Sequence, residues 1–376
     1  MADWSRVGAT ILRRYVRNAE PTLVRKIKLL LMLESAGLIE TGVSGDGIDW
    51  AVEYQRAPVT ANAGATPLTY DPVDRYMRAN LDIRGYVVTD AMGKREFVKG
   101  KGPEALIKYF PQMSVKLMDD MKRQFGGVEL YVDGDASGNS ERIHGTQSFL
   151  RFDTTYTLNK DTGVARAYNA ADYVFLPDGS YAGIDMDLGA YGGVWGAGWP
   201  EQAPDPGNNG VDTFDFFSPI GVNYKSTSFG GAAQTWKAQC REAMLFMATA
   251  LDKDGTEDGR ADLGLLDRRM FREAVETVIP KERLNINQNN KLKQLGWSGD
   301  SFEIDGITYS PEFGMPAGKG QVLNTKKLAI HSYQSKLFMP EGPDYHKQTR
   351  EYRSSVDMLG NMTTESPKYH GEFLSA

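Results

Sequence analysis

Two alternating segments near the start constrain the fold more than any other feature. In IDWAVEYQR (Ile48 to Arg56) the residues Ile48, Trp50, Val52 and Tyr54 occupy every second position, and in ANLDIRGYVV (Ala79 to Val88) Ala79, Leu81 and Ile83 do the same. Period-two alternation marks a strand with one buried and one solvated face. The intervening 22 residues, punctuated by proline and glycine, are too many for a tight hairpin. A two-stranded ribbon is marginal alone and cannot bury its own apolar stripe. The expected cover is another molecule; the other reading is that Trp50, Tyr54, Leu81 and Ile83 pack on the chain's own body.

Downstream, Leu106, Ile107, Phe110, Met113, Leu117, Met121 and Phe125 recur every three or four residues, and Gly126-Gly127 supplies a stop. This predicts one long helix, kinked or started late at Pro111. A strand VELYV (Val128 to Val132) should follow. Residues 140 to 280 form a separate glycine- and aromatic-rich unit with a second helix, Ala233 to Leu251, carrying Trp236, Cys240, Met244, Met247 and Leu251 on one stripe. Cys240 reads as a small core residue. From about residue 290 the chain is strand and turn. Asp305-Gly306 between FEI and ITY is a tight-hairpin signal, QVL, KLAIH and KLF are short strand candidates, and Thr349 to Leu374 has room for one or two more. Upstream, residues 5 to 40 read as helical pieces broken at Pro21, with Leu23, Ile27, Leu30 and Leu31 at helical spacing.

A length of 376 residues implies two or three compact units. Charge is uneven: residues 1 to 28 carry +5, including Arg13, Arg14, Arg17, Arg25, Lys26 and Lys28, in a chain whose total is −6. The start is therefore a basic arm on an acidic body. It is either a solvated helix face or an arm that meets acidic neighbours or nucleic acid. A single cysteine allows no intrachain disulfide and points to a reducing cytoplasm. The apolar run LLLML is far shorter than the roughly 20 residues of a membrane span.

Catalytic and metal motifs fail on inspection. His144, His331, His346 and His370 are too scattered for a paired ligand motif and read as surface or strand residues. GMPAGKG (Gly314 to Gly320) lacks the spacing and the Ser or Thr of a phosphate loop and reads as a turn. In DKDGTEDGRAD (Asp252 to Asp262), Asp254, Asp258 and Gly259 fit a calcium loop, but Leu265 stands where a bidentate carboxylate is needed. An exposed acidic loop is expected. Ser298 in GWSGD does not make a nucleophile elbow. No enzyme activity and no cofactor are expected.

The order of parts resembles the major capsid proteins of tailed bacteriophages with the Hong Kong 97 fold, over nearly the whole chain. IDWAVEYQR with LDIRGYVVTD resembles the two sides of the extended loop, GPEALIKYFPQMSVKLMDDMKRQFGGVELYVDG the spine helix and following strand, and HGTQSFL the entry to the apical domain; LGLLDRRMFREAVE and LGWSGDSFEIDGITYSPEFGMPAGKGQVLNTKKLAIH resemble the return. The resemblance implies an α+β fold with an N-terminal arm (1–40), an extended β-ribbon loop (41–95), a discontinuous peripheral domain with the spine helix (96–139 and 290–376) and an inserted apical domain (140–289). It implies self-assembly through hexamers and pentamers into an icosahedral shell around double-stranded DNA. Portal and scaffolding proteins, and decoration proteins, are the implied partners, and the virion, with host cytoplasm during assembly, the implied location. Assembly contacts are expected from Trp50, Tyr54, Leu81 and Ile83, with Arg75 and Arg78 facing acidic partners.

Two departures stand out. Some members of the family join a loop lysine to a neighbour's asparagine, but residues 57 to 76 contain no lysine, so no such crosslink is expected. Some members also begin with a cleaved scaffolding segment, whereas here the ribbon begins by residue 48, so a separate scaffold or none is expected. Two other readings stay open: an encapsulin-type compartment shell, and a carbohydrate-binding or carbohydrate-active β-rich protein. The latter rests on Tyr191, Trp195, Trp199, Phe214, Phe216 and Phe217, because aromatic faces can stack on sugars.

Overall fold

The computed structural model describes residues 27–54, 64, 72, 74–94, 103–187, 216–230, 233–252, 258–278 and 301–375. The basic residues Arg13, Arg14, Arg17, Arg25 and Lys26, the break at Pro21, most of the ribbon tip, Tyr191, Trp195, Trp199, Phe214, Asp254 and Ser298 lie outside these residues. The class is α+β, as expected.

Helix α1 (Lys28–Ser35) comes first. It stops at Gly37, whose φ of +70° suits glycine, with Gly37 N–H donating to Glu34 and Leu38 N–H to Leu33. Strand β1 (Ile39–Thr41) precedes the ribbon strands β2 (Gly47–Glu53) and β3 (Tyr76–Asp82). Then come β4 (Arg84–Gly93), the long helix α2 (Pro103–Gly127) and the short α3 (Thr146–Phe149). Strands β5 (Phe152–Leu158), β6 (Ala165–Ala167) and β7 (Val174–Pro177) lead to a small hairpin, β8 (Ser180–Tyr181) with β9 (Ile184–Asp185), and to β10 (Ile220–Asn223). Helix α4 (Trp236–Ala250), β11 (Leu263–Leu266) and α5 (Arg268–Val278) follow. The return is all strand: β12 (Phe302–Ile304), β13 (Ile307–Pro311), β14 (Gly320–Leu323), β15 (Leu328–Ser332), β16 (Met339–His346), β17 (Glu351–Thr364) and β18 (Gly371–Leu374). Asp305 and Gly306, both at positive φ, make the expected tight turn between β12 and β13.

Two sheets carry the chain. In the first, β17 is the hub: β4 pairs with residues 351–360 on one edge, while on the other β16 takes 351–357 and β15 takes 360–364. Strand β1 adds in parallel to β15. Helix α2 lies on one face, because Met113, Leu117, Met121 and Phe125, four residues apart, share a buried core with Ile330, Val356, Met358 and Met362. Truncating a buried aromatic such as Phe125 costs about 3–5 kcal/mol. The second sheet has nine strands in the order β12-β13-β11-β14-β18-β10-β7-β5-β6. Helices α4 and α5 bury Trp236, Cys240, Met244, Met247 and Met270 against Val222, Val322 and Phe373. Cys240 is thus a core residue. In this sheet β14 and β18, from beyond residue 290, sit between β11 and β10, so residue 290 is no boundary between sheets.

Several local expectations change. The helix begins at Pro103, not Pro111, consistent with proline's fitness for a first turn. VELYV is not a strand: Glu129–Tyr131 is one 3₁₀ turn with all three side chains buried. Glu129 points inward, to Arg142, Tyr86 and Gln124, and holds the segment as a turn. Ala79 to Val88 is not one strand, since the ladder breaks at Ile83 and the two halves join different sheets. KLF is bend, and the strand begins after it at Met339. His331 and His346 lie on strands, but His144 and His370 are buried outside any strand. His370 stays neutral because its ring nitrogens meet the Asn324 N–H and the Thr364 hydroxyl, and burial holds its pKa down to about 3. Lys28, placed with the basic arm, is instead a buried first residue of α1.

Gly360 is paired on both edges, to Arg84 and to Ser332, and an added Cβ would overlap the His331 carbonyl oxygen. Gly360→Ala is expected to cost about 1–3 kcal/mol through overpacking. A thermal melt checks this, and an unchanged midpoint would count against a hub role for β17.

Candidate assembly surfaces

The ribbon root packs on the chain's own body. Strands β2 and β3 pair in register from Gly47 with Asp82 to Glu53 with Tyr76. Ile48, Val52, Ala79 and Leu81 are buried. Trp50 stands with its ring 6.2 Å from Tyr181, and its Nε1 donates to the Glu365 carbonyl at 3.2 Å. Tyr54 lies 6.0 Å from Phe216, and the Asn80 N–H donates to the Ala182 carbonyl at 3.0 Å. Phe216 and Phe217, expected in an aromatic platform, are buried beneath this root. Of the apolar four, Trp50, Tyr54 and Leu81 therefore have an intramolecular cover, while Ile83 remains 36% exposed. Arg75 is exposed at the outer end. Arg78 is exposed but engaged: its Nη2 reaches Asp49 Oδ2 at 2.6 Å, and Asn80 holds the other Asp49 oxygen. The Arg78 and Asn80 donors hold the Asp49 carboxyl below its ordinary range.

A polar junction fixes where the ribbon leaves the body. Arg142 grips Glu129 with two bonds of 2.9 Å, and Tyr86 and Gln124 donate to the same carboxylate. Burial pushes the Glu129 carboxyl up, but the Arg142, Tyr86 and Gln124 donors outweigh it and leave it below the usual range. Arg84 donates to the carbonyls of Gly134 and Arg142 at 2.7 and 2.6 Å. Asn361, fully buried on β17, donates to the Asp82 carbonyl at 2.9 Å and accepts the His144 N–H at 2.8 Å. The Asn361 amide also reaches His144 Nδ1, so Nε2 carries the proton that meets Asp135 Oδ1 at 2.8 Å. Sequence reasoning missed these residues. Glu129 sat in an apparent strand, and Asn361 lay in a tail read only as having room for one or two strands.

The sheet face turned away from α2 carries an exposed apolar patch. Directly paired residues share a face, so Val87, Asp357 and Met339 form one row, with Gly85 and Leu359 in a neighbouring row. Val87 is 61% exposed, Leu359 45% and Met339 38%. Within the patch Asp357 Oδ1 is buried with no hydrogen-bond partner among the described residues, and an unmet buried acceptor costs free energy. Exposed apolar patches on soluble proteins mark interaction surfaces.

The other motifs do little chemistry. Residues 314–319 form the turn between β13 and β14, as expected. Asp258 of the acidic segment pairs with Lys326 at 2.6 Å, and Asp262 accepts the Thr325 N–H at 2.8 Å. Among the described residues no cluster of three or more metal-ligating side chains occurs, and no helix is long and apolar enough to cross a membrane.

Comparison with known proteins is informative at the level of fold. No protein-family model and no curated protein matches the sequence. Solved structures do match. The capsid asymmetric unit of cyanophage A-1(L) is similar over 96% of this chain and 94% of that one, at 14% identity and a TM-score of 0.56. The capsid of the empty GTA particle covers the same shares at 10% identity and a TM-score of 0.54. The capsid of cyanophage P-SCSP1u covers 90% of this chain and 86% of its own, at 12% identity and a TM-score of 0.50.

Removing Arg142 would leave the buried Glu129 carboxylate without its cation. Arg142→Ala is expected to destabilise by about 3 kcal/mol, read from denaturant unfolding. Because the Glu129 pKa is depressed in the fold, its stabilisation is present above the unfolded value and is lost as pH falls through the folded one. The cost of Arg142→Ala should therefore shrink in acid; an unchanged cost would contradict the assignment. The junction, ribbon root and patch sit on a chain whose fold is that of tailed-phage capsid subunits.

Proposed function

We propose that this chain is the major capsid protein of a tailed bacteriophage, forming hexamers and pentamers that close into an icosahedral shell around double-stranded DNA. One observation carries the reading: the likeness to the A-1(L) capsid subunit runs through 96% of this chain and 94% of that one. A closed shell distributes its stability over many copies of a few modest contacts, because symmetry repeats each one. In this reading the peripheral domain, expected as 96–139 and 290–376, and the apical domain, expected as 140–289, share the nine-stranded sheet, to which β12, β13, β14 and β18 from beyond residue 290 contribute.

The contacts divide by position. The ribbon root is committed to its own subunit, so the ribbon tip with Arg75, the exposed side of Arg78 and, at the opposite end of the root, Ile83 are left to meet a neighbour. The Val87, Leu359 and Met339 patch is a second contact, with Asp357 accepting a donor from the neighbouring copy. The basic start, Arg13 to Lys26, faces acidic neighbours or packaged DNA without sequence specificity. Portal, scaffolding and decoration proteins are further partners, and the residence is the virion after assembly in host cytoplasm.

Electron microscopy of the protein produced alone and with its gene neighbours tests the reading. Closed shells or capsomer rings are expected, with DNA as cargo. A monomer of 41.7 kDa under both conditions would overturn it, and enzyme cargo would indicate a cellular compartment. Leu359→Lys and Val87→Glu should leave the unfolding free energy within about 0.5 kcal/mol, as exposed substitutions do, yet suppress shells. Normal shells from both variants would remove the patch from the assembly surface.

A further inference from the structure

Two surfaces of this subunit each lack what the other has. On β17, Asp357 stands in one row between Val87 of β4 and Met339 of β16, with the exposed Leu359 two residues on. Its Oδ1 finds no hydrogen-bond partner and its carboxylate no cation among the described residues. The second surface lies in the turn after β13. Phe313 is 50% exposed, and its ring rests against Gly127, the last residue of α2, where an added Cβ would meet it at 3.5 Å. Val128, next along the chain, is also exposed. The guanidinium of Arg268, the exposed first residue of α5, stands 5.2 Å from the centre of the Phe313 ring. Arg269 and Arg272 pair along the helix with Glu273 and Glu276, and Asp267 accepts the Gly318 N–H. Arg268 therefore holds a ring and no carboxylate among the described residues. A guanidinium stacked on an aromatic face keeps its N–H edge for a planar acceptor. The helix dipole does not favour a cation in a first turn, so the stability of α5 does not account for Arg268.

We propose that these surfaces are the two halves of one contact between copies: the Asp357 patch of one subunit docks on the Phe313, Val128 and Arg268 surface of the next, and the Arg268 guanidinium meets the Asp357 carboxylate. Charge decides which surface takes which. Asp357 lies inside its patch, between Val87 and Met339, so pairing the patch with its own counterpart presses two carboxylates together. Pairing the Phe313 surface with itself does the same to two guanidinium groups. Like charges across an interface disfavour both arrangements. Each surface therefore rejects itself and fits the other, with Val87, Leu359 and Met339 covered by Phe313 and Val128. The two halves are also separate on the subunit: one lies on the far face of the first sheet, the other at the end of the helix that covers the near face. A contact between different patches of identical chains is heterologous, so it runs head to tail and closes into rings where the rotation allows. The inference rests on the capsid reading's assignment of the β17 face to assembly and adds the partner surface and the direction of the contact.

Charge reversal in the full-length chain tests it, with the protein produced beside its gene neighbours and scored by electron microscopy and sedimentation. Asp357→Arg and Arg268→Asp alone should each lower the yield of rings and shells by about tenfold or more, the scale on which like-charge juxtaposition acts at an interface. Both in one chain should bring the yield back to within about threefold of the unaltered chain, because the pair then meets with its charges exchanged. Should Asp357→Arg not fold, Asp357→Asn and Arg268→Gln take its place: each should weaken assembly, and the two together no more than either alone, since a broken pair cannot be broken twice. Single reversals that assemble like the unaltered chain, a double reversal no better than the worse single one, or neutral losses that multiply would overturn the contact. Each of those results leaves the capsid reading standing, because that reading is judged on shells of the unaltered chain. An unaltered chain that stays monomeric would overturn both.

Discussion

Strand β17 is the element on which the rest of the molecule depends. It occupies the middle of its sheet with both edges used, by β4 on one side and by β16 and then β15 on the other. Its inward residues Val356, Met358 and Met362 receive the long helix. At Asn361, near its end, the buried amide ties the last ribbon carbonyl to His144. Moving β17 would therefore disturb the helix, the ribbon exit and the nearby loop together. That economy requires Gly360, because no side chain fits between the two partner strands at this point.

The ribbon is anchored before it is used. A two-stranded ribbon is marginal in water, and here Trp50, Tyr54 and Leu81 cover Tyr181, Phe216 and neighbouring core residues instead of waiting for a partner. The Glu129 cluster holds the exit strand through Tyr86, at the far end of the ribbon root. A rigid root lets an outer segment reach a neighbour at low entropic cost, since the ordering of its base has been met within the subunit. The exposed patch around Asp357 lies on the same sheet as this exit strand, on the face opposite the helix.

Much of the architecture was legible in the sequence because it rests on periodicity and turn chemistry. The four-residue spacing from Met113 to Phe125 gave the long helix, Asp305-Gly306 gave its hairpin, and the stripe through Cys240 gave α4. The errors came where a buried polar residue imitated a solvated one. Glu129 sat in a turn read as a strand, Lys28 looked like part of a basic arm, and His144 and His370 read as surface or strand residues. Each has at least one partner tens or hundreds of positions away, Tyr86 for Glu129, Asn361 for His144, Asn324 for His370 and the Glu312 carboxyl for the Lys28 N–H, and no local pattern encodes such a pairing. The proposed assembly surface was half legible. Alternation found the ribbon, but Val87, Met339 and Leu359 come from three separate strands and become a patch only when β4, β16 and β17 align.

The central claim is that the ribbon root is closed within the subunit while the tip is completed by a neighbour. Hydrogen–deuterium exchange of the free subunit against the assembled particle measures this directly. The account predicts that peptides spanning 47–53 and 76–82 are protected in both states and that 55–75 gains protection only on assembly. Root peptides that exchange freely in the subunit and become protected only in the particle would contradict it.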